Sequence, residues 1–110
     1  MAQEVNPLFT GMATARNYRK LHDMVSDRGI QLVCVQYPML SADPLFEIFR
    51  DREGIIFVSN EEIFKEAVGK EGYDEYFTDK FGVYFGHCTP KGNQLLAENI
   101  AETLLKEYFH

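Results

Sequence analysis

The sequence predicts an α/β fold, a partial three-layer α/β/α (flavodoxin-like) sandwich built on a short parallel sheet. Two continuously apolar, β-branched runs carry that prediction, Leu32-Val33-Cys34-Val35 and Ile55-Ile56-Phe57-Val58, each bounded by turn residues and alternating with stretches of helical period. A strand apolar on both faces is the pattern of one buried between layers, which is where parallel strands occur. Crossovers between such strands place helices on the sheet.

The elements follow in order. Residues from about Met12 to Arg28 read as a helix with Tyr18, Leu21, Met24 and Val25 on one face and Arg16, Lys20, Asp23 and Asp27 elsewhere, and Gly29 supplies its stop. Pro38 ends the first strand, and Ser41-Ala42-Asp43-Pro44 offers a cap for a short helix through Leu45, Phe46, Ile48 and Phe49. Gly54 restarts the chain before the second strand. Ser59-Asn60-Glu61-Glu62 then has the Ser-x-x-Glu spacing of a capping box, opening a helix with core contacts from Ile63, Phe64 and Val68. From Gly69 to Phe85 the pattern loosens into an aromatic segment, with Tyr73, Tyr76, Phe77, Phe81, Tyr84 and Phe85, read as a loop over the sheet edge. It can line a cleft or an interface, or pack into the core. Thr89 can cap the last helix, about Pro90 to Tyr108, with Pro90 in its first turn.

Two strands are too few for a sheet covered on both faces by four helices. Residues 1–110 are therefore expected to be either a single α/β domain whose open sheet edge is closed by another copy, as a homo-oligomer, or by a partner, or the C-terminal fragment of a larger domain.

Composition narrows the function classes. A length of 110 residues with 45% hydrophobic content supports one domain with a real core. A formal net charge of -6 argues against a nucleic-acid surface, which needs clustered Lys and Arg. The two cysteines, Cys34 and Cys88, form neither a disulfide framework nor a paired zinc pattern, leaving a reduced, cytoplasmic setting as the default reading. Residues 1–5 lack the basic start and apolar stretch of a signal peptide, and no run is long enough for a membrane span. No metal or cofactor is expected. Glu61, Glu62, Glu66, Glu71, Asp74 and Glu75 lack the spacing of a calcium loop, and Gly92-Asn93 lacks the strand and glycine spacing of a phosphate cradle.

The run Gly86-His87-Cys88-Thr89-Pro90-Lys91-Gly92-Asn93 sets a histidine in a loop directly before a helix. An imidazole held there suits general-base work, because its ordinary pKa lies near physiological pH. The plainer reading is a polar loop residue bonded to backbone. Cys88 beside His87 does not make a dyad, since adjacent side chains point apart. His22, among charged residues, reads as solvent-facing, and His110 as terminal.

These residues give the chain a family likeness. With Gly29-Ile30-Gln31-Leu32-Val33-Cys34-Val35-Gln36-Tyr37-Pro38, Ile56-Phe57-Val58, and the His87 block with Gly92, Asn93 and Ala97, it resembles the C-terminal half of an SGNH, or GDSL-type, hydrolase. The resemblance implies an esterase- or lipase-like site in which a Ser attacks an acyl ester and His87 activates it, with the oxyanion held by a backbone N–H, a Gly and an Asn. No Gly-Asp-Ser block is present, and Ser26, Ser41 and Ser59 sit in helix-surface or cap contexts. The family commonly places Asp three residues before the His, where this chain has Tyr84. Asp79 is the nearest upstream carboxylate able to fold back, ahead of Asp74 and Glu75. The chain alone is expected to be inactive; a non-catalytic interaction module is the alternative, and a nucleotide-binding domain ranks last for want of a glycine-rich turn.

Overall fold

The computed structural model describes residues 12–49, 51–82 and 86–109, so Tyr84, Phe85, His110 and residues 1–5 lie outside the described residues. The elements are α1 (Met12–Ser26), β1 (Leu32–Val35), α2 (Asp43–Ile48), β2 (Ile55–Val58), α3 (Glu61–Glu71), α4 (Tyr73–Tyr76) and α5 (Pro90–Glu107). The fold is mixed α/β and more than half helical, and β1 pairs with β2 in a short parallel sheet. The described residues form two compact units, one made of the chain up to Cys34 with Asp43–Ile56, the other of Val35–Ala42 and Phe57 onward.

In the first unit α1 ends where the sequence places Gly29. That residue takes φ 70°, its N–H bonds to the Ser26 carbonyl at 3.0 Å, and Ile30 N–H reaches Val25 at 2.9 Å, the paired bonds of a Schellman stop. The Arg19 guanidinium donates to the Ile48 carbonyl at 2.7 Å, tying α1 to the end of α2. Phe49, buried, receives the rings of Tyr18 and His22 at 6.4 and 5.9 Å. His22 is therefore not the solvent-facing residue expected; its side chain is only 18% exposed because its ring edge packs on Phe49. The apolar face of α1 is less covered than its period suggests, with Ala15 buried but Leu21 44% and Met24 49% exposed.

β1 departs from expectation too. It is half-buried through Cys34 and exposed at Val35, whereas β2 buries Ile56 and Val58. Both runs are equally apolar, so apolarity marks a strand able to be buried without supplying its cover, and among the described residues the sheet holds these two strands.

The second unit is built around Phe64, Tyr76 and Phe77, with the Phe64 ring 6.2 Å from Tyr76 and 5.7 Å from Phe77. The segment expected to be a loop from Gly69 is thus partly helix and partly core. α3 continues through Gly69 to Glu71, Gly72 at φ 99° breaks it, and α4 delivers Tyr76 and Phe77 inward. Burying two large aromatic side chains outweighs the weak helical period of this stretch.

The expected capping box is absent. Asn60 is the N-cap of α3 and makes no side-chain cap bond, while the Ser59 hydroxyl accepts from Glu61 N–H at 3.4 Å. The Asn60 side chain turns inward instead, donating to the Gln36 carbonyl at 2.8 Å and accepting from Asn99 at 2.7 Å. Gln36, also buried, donates to the Ser41 carbonyl at 3.0 Å and accepts from Tyr37 N–H at 2.7 Å. These buried amides are satisfied, as burial without water requires.

Candidate active site

Past α4 the chain doubles back. Phe77 faces Cys88 across an isolated antiparallel bridge, with Thr78 N–H donating to the His87 carbonyl at 2.7 Å and Thr89 N–H to the Tyr76 carbonyl at 3.0 Å. Residues 76–78 and 87–89 thus run side by side. The far end is tied to α5 through Thr89, whose hydroxyl accepts from Gly92 N–H at 3.1 Å as a helix cap and donates to the Glu75 carbonyl at 2.7 Å. Gly92 must be small here, because a Cβ would collide with the Tyr76 carbonyl oxygen.

This arrangement brings Asp79 to His87. One carboxylate oxygen lies 2.8 Å from His87 Nδ1 and the other accepts the His87 backbone N–H at 2.6 Å. Gripped at both oxygens, the carboxylate cannot rotate without losing a bond. The His87 backbone bond, then its ring, hold the Asp79 carboxyl below its ordinary range. An ionised carboxylate only accepts, so Nδ1 is the donor and the neutral imidazole carries its free lone pair on Nε2. The His87 side chain is 70% exposed, with Phe81 set edge-on at 5.3 Å.

The lowered carboxyl pKa fixes the sign of the pH dependence. Asp79 stabilises the fold at pH above its unfolded value of about 4, and that contribution is lost as pH falls through the lower folded value.

One lower-ranked carboxylate candidate pairs elsewhere. Glu75 sits 3.4 Å from Lys91 Nζ, and Glu71 lies 3.0 Å from the same nitrogen while accepting the Tyr76 hydroxyl. Burial pushes the Cys88 thiol up, away from the thiolate a nucleophile needs. Among the described residues no Ser, Thr or Cys side chain bonds to Nε2 of His87, and no group of three or more His, Cys, Asp or Glu residues could hold a metal ion. No described helix is long and apolar enough to cross a membrane.

Two shallow grooves, of ≈ 190 and ≈ 230 Å³, flank Tyr76 and include neither His87 nor Asp79. Lys91 and Glu71 at their rims are neutralised by one another, and proton-transfer geometry favours the His87 loop as the candidate site. Sequence reasoning missed Tyr73 and Gly86. Tyr73 donates its hydroxyl to the Asp79 carbonyl at 2.8 Å, and Gly86 leaves the space for it. Gly82, at φ 61° between the two paired segments, is a sequence signal of a turn there.

Comparison with known proteins finds no family, no curated protein and no solved structure that matches the chain.

Proposed function

We propose that this chain carries the base half of a serine-type acyl hydrolase site, in the manner of the C-terminal portion of an SGNH hydrolase, with His87 as general base and Asp79 as its orienting acid. The supporting observation is the contact of 2.8 Å between Nδ1 and the Asp79 carboxylate on an exposed ring. Asp79 fixes the tautomer and would stabilise the imidazolium that forms when Nε2 takes a proton from an attacking hydroxyl; Nε2 then returns it to the leaving group. The nucleophilic Ser and the oxyanion donors belong, on this reading, to residues upstream, as do further strands of a three-layer sandwich around β1 and β2. The substrate class is an acyl ester.

The test is hydrolysis of p-nitrophenyl acetate. The chain alone should give no turnover above buffer, and turnover lost in His87→Ala would refute that. Joined to an in-frame upstream segment bearing a Gly-Asp-Ser block, it should hydrolyse the ester, with Asp79→Asn slowing turnover on the order of 10⁴-fold. Unchanged turnover in His87→Ala sinks the reading.

The exposure of Val35, 42% on a two-stranded sheet, favours a second reading, a non-catalytic module that self-associates through an open sheet edge. A monomeric mass at high protein concentration counts against it.

A further inference from the structure

We propose that Tyr73 is a positioning residue for the His87–Asp79 pair, its hydroxyl anchoring the Asp79 main chain so that the carboxylate meets the imidazole. The inference rests on the reading of that pair as a base.

Asp79 sits in an exposed stretch beyond the end of α4, where a polar side chain with one attachment would sample many rotamers. Its main chain is instead held from two sides. On one side Thr78 N–H bonds to the His87 carbonyl at 2.7 Å; on the other the Tyr73 hydroxyl bonds to the Asp79 carbonyl at 2.8 Å. The donor itself is rigidly mounted. The Tyr73 ring stacks on Phe77 with centroids 4.6 Å apart and planes 23° from parallel, and Phe77 is 2% exposed against Phe64. The phenol therefore has a fixed place relative to the core, and it passes that place on to Asp79.

Gly86 supports the assignment independently. A Cβ there would collide with the Asp79 carbonyl oxygen and approach the Tyr73 hydroxyl, the two atoms of the bond in question. Only a glycine leaves room for it. Burial first, then the Asp79 charge, pushes the phenol's pKa up, so it remains a protonated donor throughout the range in which a histidine base works. Tyr76, on the same short helix, donates to Glu71 instead and has no part in the pair.

The readout is the His87 ring in the full chain, followed by imidazole nitrogen NMR at a pH high enough for the ring to be neutral. The expected wild-type signal is a neutral ring protonated at Nδ1 with a protected Nδ1–H. Tyr73→Phe keeps the stacked ring and removes only the donor; Nδ1–H exchange should quicken at least tenfold and the tautomers should mix, while Tyr76→Phe leaves both unchanged. A purely structural role for Tyr73 would lower stability without moving the tautomer. Should the Phe variant lose its native amide spectrum, 4-fluorophenylalanine at position 73, closer in size and equally without a donor, replaces it. Wild-type exchange and tautomer in the donor-free variant, with Asp79→Asn altering both, overturns the role of Tyr73 alone. If Asp79→Asn also leaves His87 unchanged, the pair itself fails and the proposed base with it.

Discussion

The helix α1 and the α3–α5 region look alike as patterns of apolar residues and differ in what covers them. On α1 only Ala15 is buried, and Leu21 and Met24 stay nearly half exposed. Around α3 and α4, Phe64 and Phe77 are 0% and 2% exposed, because three aromatic rings on consecutive elements cover one another. Periodicity tells which side of a helix is apolar; whether that side is dry depends on partners supplied from elsewhere in the chain. The His87 loop is fastened to the region that supplies its own, through the Tyr73–Phe77 stack and the Thr89 cap.

The largest effect expected from this contrast is that of Phe64→Ala. Removing a fully buried ring from the aromatic trio should cost about 3–5 kcal/mol in urea unfolding. A loss below about 0.5 kcal/mol, inside the ordinary range for surface positions, would show that the trio is no tighter than α1. Next is Asn60→Ala, which takes the side-chain donor from the Gln36 carbonyl in a buried place, while the Asn99 amide keeps the Ser59 carbonyl, and should cost about 1–3 kcal/mol by the same measurement. Smallest is Leu21→Ala on the open face of α1, expected to stay within about 0.5 kcal/mol. A cost near that of Phe64→Ala would break the comparison, because it would mean that this face is covered in solution.

Much of the element order is legible in the residues. Both strands, the Gly29 stop and the Thr89-Pro90 start of α5 lie where local chemistry puts them, since each depends on backbone preferences a few residues long. The failures share a cause. Ser59 and Glu62 have the spacing of a capping box, but Asn60 is recruited by Gln36 and Asn99, which lie far away in sequence. The short α4 exists because Tyr76 and Phe77 are drawn into a core that no local window contains. At the candidate site, the position of His87 before a capped helix is readable, and Asp79 can be named from loop reach. Its two-handed grip on the ring and backbone cannot, nor can Tyr73, because both require the Phe77–Cys88 bridge.

That bridge also bears on how the pair comes together in time. Imidazole and carboxylate stand eight residues apart in sequence, and a loop of about 10 residues closes in about 10–100 ns. Their meeting is a short-range closure that adds little to the contact order of the chain, so it does not await the slow assembly of distant segments. On the proposed reading, a nucleophile arriving from farther along a polypeptide would find its base already oriented, and the search it must complete would be its own.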